Sequence, residues 1–221
     1  RARLPGASAV QVDFARATAP QAWLPALAGI DTVINAVGIL RESKTQRFGL
    51  LHRQAPCALF QACVEAGTRR VIQISALGAD EAAQSAYHLS KKAADDFLAG
   101  LPIESAIVQP SLVYGPGGTS ARLFSAIARL PLIPLPGDGS QRVQPVYVDD
   151  LTEAIVELVE ARALPHGRIP LVGPEPLTLK AFYARLRTAL GVRSRARFLP
   201  VPMRLVQLGA RVGSHVPGVL L

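Results

Sequence analysis

The chain has 221 residues, of which 49% are hydrophobic and 18% are charged, which is enough for one substantial core or a core with a small lobe. This composition excludes a disordered chain. No run reaches the ~18 uncharged apolar residues that a membrane-spanning helix needs. Cys57 and Cys63 are predicted to be buried thiols in a reducing compartment, because their spacing fits no disulfide framework or metal motif.

The net charge of +8 is concentrated in the last quarter of the chain. Residues 1–160 contain 14 basic and 15 acidic residues, whereas residues 161–221 contain 10 basic residues and one acid, Glu175. A solvated basic face is the ordinary interpretation, and an anionic substrate, an anionic membrane surface and an acidic partner are the alternatives. Nucleic acid is disfavoured, because no aromatic-studded basic strand or recognition helix accompanies the charge.

The first half of the chain alternates short apolar runs with helical stretches. The pattern predicts strands at 9–12, 31–37, 71–75 and 103–109, and helices at 20–29, 47–67 and 87–100. This alternation predicts an α/β fold with a parallel sheet covered on both faces. Ligands of such sheets bind at the carboxyl ends of the strands, which is where the chain places Asp13, Asn35, Ala36, Gly38, Ser75 and Pro110.

The second half begins where the composition changes, near residue 115, and proline and glycine become dense through 130–139. Further elements are predicted there: strands at 143–148 and 168–171, and helices at 151–161, 179–190 (capped by Thr178) and 200–213. The last helix has a broad apolar face, which favours core packing over an interfacial membrane helix.

One group of residues indicates chemistry. Ser75 ends a buried strand, and Tyr87 and Lys91 follow four residues apart on a predicted helix, hence on one face. A phenol is a poor acid or base at neutral pH, and a neighbouring ammonium is expected to lower its pKa. Ser75 is then expected to hold the oxygen atom that gains or loses the proton. A coincidental Tyr-Lys pair is the alternative, and its position after the Ser75 strand favours function.

Five motifs, in order along the chain, resemble the short-chain dehydrogenase/reductase superfamily: INAVG (34–38), ISALGAD (74–80), YHLSK (87–91), QPSLVYGPGG (109–118) and QPVYVDDLTEAI (144–155). They are most similar to its extended or atypical branch of NAD-dependent epimerase/dehydratase-like proteins. Within that branch, they resemble the nucleotide-binding accessory subunit of respiratory complex I and its bacterial relatives. The resemblance implies a Rossmann-like doubly wound parallel sheet at 1–115, binding NAD or NADP, and a small α+β substrate lobe at 116–221.

The resemblance also implies roles for individual residues. Tyr87 matches the catalytic acid/base, Lys91 the lysine that binds the nicotinamide ribose, and Ser75 the hydroxyl that orients the substrate. Tyr87 and Lys91 are also implied to contact the cofactor. Further matches are implied along it: Asn35, Ala36 and Gly38 beside it, Asp13 and Phe14 at the adenine, and Pro110 and Ser111 at the carboxamide. Simple turn chemistry is the alternative for Asn35, Gly38 and Pro110.

The chain departs from the family pattern at its start. It begins with Arg1, its only methionine is Met203, and no glycine-rich turn precedes Asp13. We therefore expect an internal piece of a longer protein, lacking the first strand and the turn that binds the pyrophosphate. The preference for NAD or NADP cannot be predicted without the missing strand.

Two functions stay open on the sequence. One is an NAD(P)-dependent oxidoreductase that moves hydride between the cofactor and a carbonyl or alcohol of an unknown small molecule. The other is a non-catalytic, NADPH-holding subunit or assembly factor of a membrane-associated respiratory complex, or of ubiquinone biosynthesis. A sugar-nucleotide epimerase or dehydratase is a weaker alternative. We expect a cytoplasmic protein, peripheral to the inner membrane under the second hypothesis.

Overall fold

The computed structural model describes residues 6–205. Of these, residues 6–108 and 161–169 form one compact unit, and residues 109–160 and 170–205 form a second. The chain therefore passes between the units at three points. The division at residue 115 into a cofactor domain and a substrate lobe stays a prediction about what each part does.

The first unit contains most of a sheet whose strands lie in the order β1-β2-β3-β8. These strands are β1 (Thr32–Asn35), β2 (Arg70–Ile74), β3 (Glu104–Pro110) and β8 (Arg168–Leu171). β2 lies parallel to both β1 and β3, with Arg70 opposite Thr32 on one side and Glu104 on the other. This Rossmann-like α/β fold is the one that the sequence predicted.

Helices connect the strands, as parallel pairing requires. The chain between β1 and β2 contains a π-helical turn (Gly49–Gln54) and α2 (Ala55–Glu65), and α3 (Ala86–Ala99) lies between β2 and β3. Before β1 there is a short 3₁₀ turn (Pro20–Ala22) followed by α1 (Leu24–Leu27). All three predicted helical stretches therefore exist, although the first is shorter than predicted.

An apolar core packs beneath these elements. Its buried members include residues from α1, α2, α3 and the sheet: Leu27, Leu59, Phe60, Cys63, Val71, Leu98 and Ile107. Cys63 is buried, Cys57 is half-buried, and both are free thiols. Burial raises the pKa of each thiol to about 11, so both stay protonated at neutral pH, as expected of packing cysteines.

The second unit combines short strands with three helices. Its strands are β4 (Val113–Tyr114), β5 (Leu132–Pro136), β6 (Arg142–Val143), β7 (Val146–Tyr147), β9 (Leu177–Thr178) and β10 (Arg197–Val201). Its helices are α4 (Thr119–Arg129), α5 (Val148–Glu160) and α6 (Leu179–Ala189). β4 pairs in parallel with β7 and β5 with β10, whereas β6 and β9 are antiparallel. A second core contains Ile133, Leu135, Phe182, Tyr183 and Leu186.

One predicted element is wrong, and another begins later than predicted. Residues 9–12 form no strand, because no strand of residues 6–205 pairs with them, and Val10 is 66% exposed. The helix predicted at 200–213 begins later, since Pro200 and Val201 belong to β10 and pair with Leu135 and Pro136, whereas residues 203–205 are helical. The remainder of that prediction lies mostly outside the described residues. Over residues 6–205, no helix is long and apolar enough to cross a membrane.

Candidate functional site

The candidate site is built where β1 and β2 end and α3 begins. Asn35 is the last residue of β1, and Ser75 directly follows β2. α3 begins after Ser85, whose hydroxyl caps the helix by accepting a hydrogen bond from the amide of His88 at 3.1 Å. This cap fixes the first turn of α3, which carries Tyr87. The predicted Tyr87-Lys91 spacing therefore lies on a real helix.

Lys91 joins the ends of the two strands. Its side chain is buried, and its ammonium donates hydrogen bonds to the carbonyls of Val37 at 3.2 Å and Ile74 at 3.0 Å. Gly38 lies directly against it, since a Cβ at that position would be 3.2 Å from Lys91 Nζ. A larger side chain would displace the ammonium. Burial lowers the pKa of Lys91 to about 8, against the opposing charge of Asp95, so the amine is still largely charged at neutral pH.

Tyr87 is surrounded by aromatic rings. Its ring lies 5.8 Å from Phe48, 5.3 Å from His52 and 5.1 Å from His88, each in an edge-on arrangement. Burial raises the pKa of Tyr87. This is opposite to the predicted lowering by Lys91, because desolvation of the phenol dominates and the lysine ammonium binds the two strand-end carbonyls. The role of Tyr87 as acid/base stays a prediction.

His52 is a member of this site that the sequence did not reveal. Its Nε2 accepts a hydrogen bond from the amide of Ile39 at 2.9 Å, so the ring proton is on Nδ1, which donates to Ser90 Oγ at 3.0 Å. Ser90 in turn donates to the carbonyl of Tyr87 at 2.7 Å. Burial, followed by the charge of Lys91, lowers the pKa of His52 to about 4. A neutral histidine therefore links the loop after β1 to the first turn of α3.

A buried chain of polar side chains runs beneath the same edge of the sheet. Asn35 donates from Nδ2 to Gln73 Oε1 at 2.7 Å, and Gln73 donates from Nε2 to Asp95 Oδ1 at 3.5 Å. Ser75 Oγ donates to Asp95 Oδ2 at 2.5 Å. The predicted residues Asn35 and Ser75 are thus connected through two that were not predicted. Asp95 continues the four-residue spacing of Tyr87 and Lys91, and that spacing was the signal that could have identified it.

The carboxyl group of Asp95 has an unusual environment. Its side chain is fully buried, and burial raises its pKa to about 6. Four neighbours act in the opposite direction by hydrogen bonding or by charge: Ser75, Arg168, Gln73 and Lys91. Asp95 is therefore mainly ionised at neutral pH and becomes protonated in mild acid.

The other predicted residues lie in different settings. Asp13 is exposed, and its Oδ1 accepts a hydrogen bond from the amide of Ala15 at 2.9 Å, while Phe14 packs edge-on against Trp23 at 4.7 Å. Pro110 ends β3, and Ser111 belongs to the second unit. Ser111 donates its amide to the carbonyl of Leu171 and its hydroxyl to that of Gln144. These contacts are structural, and the cofactor roles of the four residues stay predictions.

A family model decides where this chain belongs. The model described as "NAD dependent epimerase/dehydratase family" matches residues 1–173. The chain belongs to this family.

The proteins to which this NAD-dependent epimerase/dehydratase chain is similar have different names. It is 27% identical to "Ceramide reductase" of Caulobacter vibrioides over 79% of its length, and 30% identical to "NADH dehydrogenase [ubiquinone] 1 alpha subcomplex subunit 9, mitochondrial" of Arabidopsis thaliana over 69%. It spans 55% and 39% of those proteins. Among solved structures, UDP-glucuronic acid 4-epimerase from Bacillus cereus in complex with NAD superposes with a TM-score of 0.65 at 20% identity, covering 80% of this chain and 66% of that one.

Proposed function

We propose that the protein is an NAD(P)-linked oxidoreductase that moves hydride between the dinucleotide and a carbonyl or alcohol, with Tyr87 as the acid/base. One observation carries the proposal. The buried ammonium of Lys91 lies at the carboxyl ends of β1 and β2, against Gly38, and one turn of helix after Tyr87. That edge of a parallel sheet is where such folds bind dinucleotides.

The residues at this edge fit the cofactor that the family name implies. Gly38 leaves open the space beside Lys91 Nζ that a Cβ would occupy, and the carbonyls of Val37 and Ile74 use two of the three ammonium donors. Lys91 would bind the ribose, Asn35, Ala36 and Gly38 would lie along the dinucleotide, and the outer contacts within the first unit would come from Asp13 and Phe14. When bound, NAD or NADP supplies or accepts the hydride.

Tyr87 is suited to donating a proton. Because burial raises its pKa, the phenol stays protonated at neutral pH and can give its proton to the oxygen of a carbonyl that is being reduced. The reverse reaction would require a phenolate that this environment disfavours. The protonation state of Tyr87 therefore favours carbonyl reduction, and the resemblance to a protein named ceramide reductase supports the same direction.

Replacing the phenol tests the proposal. The full-length protein should oxidise NADH or NADPH in the presence of at least one member of a panel of quinones, ketones and nucleotide sugars. Tyr87→Phe should lower kcat by roughly 10²- to 10⁴-fold, the range of general acid catalysis, with little change in dinucleotide affinity. Tyr183→Phe, which removes a hydroxyl from the core of the second unit, is the matched control and should retain activity. Equal turnover by wild type and Tyr87→Phe would refute the role of the phenol.

A second function is a non-catalytic dinucleotide-holding subunit or assembly factor of a respiratory complex, or of quinone biosynthesis. It is favoured by the likeness to a protein named as a subunit of NADH dehydrogenase, and by the hydroxyl of Ser75 being bonded to Asp95. Dinucleotide binding without turnover, together with co-purification with membranes, would support this function. Turnover that depends on Tyr87 would exclude it.

A further inference from the structure

The hydroxyl of Ser75 donates its hydrogen bond in one fixed direction, towards Asp95. It lies 5% exposed at the end of β2, with its Oγ 2.5 Å from Oδ2 of the fully buried Asp95. An ionised carboxylate can only accept hydrogen bonds, so Ser75 must be the donor in this contact. A hydrogen bond to a charged acceptor belongs to the stronger class of hydrogen bonds.

A hydroxyl has one proton, and Ser75 has already directed it towards Asp95. What Ser75 can offer to a ligand is then a lone pair of its oxygen, which accepts a hydrogen bond. An alcohol can satisfy that lone pair, because it carries a proton to donate. A carbonyl compound cannot, since it is only an acceptor.

We propose that Asp95 is a positioning residue that accepts the hydrogen bond of Ser75 and thereby makes Ser75 an acceptor towards the ligand. At this position Ser75 then favours an alcohol over the corresponding carbonyl compound until Asp95 is protonated. This inference rests on the proposed function for the identity of the ligand. The contact between Ser75 and Asp95 is independent of it.

Protonation of Asp95 reverses the arrangement. A neutral carboxyl group can donate its proton to Ser75 Oγ, which frees the serine proton for a carbonyl oxygen. Ser75 and the protonated Tyr87 would then both donate to that oxygen. The groups that face Asp95 are Ser75 and Gln73 from β2 and its edge, Lys91 from its own helix, and Arg168 from β8. The two cations hold Asp95 ionised at neutral pH, against its burial.

Proton NMR of the full-length protein tests the polarity without any need for turnover. At pH 8, wild type should show a slowly exchanging hydroxyl proton downfield of the amide region, assigned by its loss in Ser75→Ala. Asp95→Asn should remove this signal or move it upfield. Asp96→Asn should retain it, because that carboxylate is on the adjacent, outward-facing position and pairs with Lys92 and Arg168. In wild type, the signal should shift as the pH falls through about 6. This pH dependence is measured on the wild-type protein, so it does not depend on whether a variant folds.

Kinetics provides the test of the ligand preference. In wild type, kcat/KM for carbonyl reduction should fall as the pH rises through about 6, and Asp95→Asn should lose this inflection. The loss of one hydrogen bond to a charged group should change the ratio of alcohol to carbonyl kcat/KM by roughly 10- to 100-fold. A wild type without the downfield proton, or an Asp95→Asn variant that keeps both the proton and the inflection, would overturn the inference. The proton without any turnover would refute the proposed function alone.

Discussion

At the scale of single residues, His52 shows how burial sets a protonation state. Its ring accepts from the amide of Ile39 and donates to Ser90, so both nitrogens are used by the neutral form. Protonation would replace an acceptor with a second donor, facing an amide hydrogen. Burial, followed by the charge of Lys91, holds the pKa of His52 near 4. The neutral ring connects the loop after β1 to α3.

This lowered pKa predicts a loss of stability in acid. The unfolded chain binds a proton at His52 below pH 6.5, and the folded protein does so only near pH 4. Stability is therefore present above pH 6.5 and is lost as the pH falls towards 4, by about 3 kcal/mol at most. The raised pKa of Asp95 acts in the opposite sense over pH 3.8 to about 6, because protonation then favours the folded state.

Urea unfolding at pH 7 and pH 4.5 separates the two effects. His52→Gln retains an acceptor for Ile39 but does not titrate. The free energy of unfolding of this variant should fall less between the two pH values than that of wild type, by roughly 2 kcal/mol. Parallel curves for the two proteins would contradict a buried neutral histidine.

The residues of the site differ in how visible they are in the sequence. Ser75, Tyr87 and Lys91 could be identified, because a strand end and a four-residue helical spacing are local features. His52 and the pairing of Asp95 with Ser75 could not, since they depend on which segments meet in the fold. The direction of the pKa shift of Tyr87 was predicted wrongly for the same reason. The sequence gives the neighbour on the helix but not the desolvation by Phe48, His52 and His88.

At the scale of elements, an ion pair between the buried Arg70 and the half-buried Glu104 connects the starts of neighbouring strands. Arg70 is fully buried at the start of β2 and binds Glu104, its register partner on β3, through Nε at 3.0 Å and Nη2 at 2.9 Å. Arg70 also donates to the carbonyl of Ala161, and Glu104 accepts from the amide of Leu164. The pair thus attaches residues 161–164 to the amino-terminal edge of the sheet.

Removing one partner should therefore destabilise the first unit. Glu104→Gln leaves the charge of Arg70 buried beside a neutral amide, and we expect a loss of about 2 kcal/mol, below the full range for buried pairs because Glu104 is 31% exposed. Glu65→Gln, at the exposed end of α2, should change stability by less than about 0.5 kcal/mol. Both changes can be measured by urea unfolding at neutral pH. Equal effects of the two substitutions would refute the role of the pair.

Elements that depend on local sequence could be predicted, whereas elements that depend on pairing with a distant segment could not. β2, β3, β8 and the Thr178-capped helix were predictable from β-branched runs and a capping residue. β5 was missed because its sequence, LPLIPLP at 130–136, reads as a proline-rich loop, and it becomes a strand by pairing with the distant β10. Residues 9–12 have strand-like composition but no partner among the described residues, so propensity alone misled.

At the scale of the whole molecule, the charge of the last quarter is partly structural. Arg187 is buried and donates to the carbonyls of Ala128 and Leu130, while Arg168 pairs with Asp96 and Arg185 with Glu175. Arg187 thus supports the packing of the second unit, and the other two cations are each paired with a carboxylate. The basic excess in the sequence therefore overstates the charge that is free to meet an anionic partner.

The central claim is that the edge formed by Asn35 to Gly38, Ser75 and Lys91 binds a nicotinamide dinucleotide. Calorimetric titration of the full-length protein with NADH and with NADPH tests it most directly. Gly38→Val is the decisive variant. Its side chain would fill the space beside Lys91 Nζ, whereas Gly49→Ala meets no atom within 4 Å and is the control. We predict that wild type and Gly49→Ala bind at least one of the two cofactors equally, and that Gly38→Val weakens binding by at least about tenfold. Undiminished binding by Gly38→Val, or no binding of either cofactor by wild type, would contradict the claim.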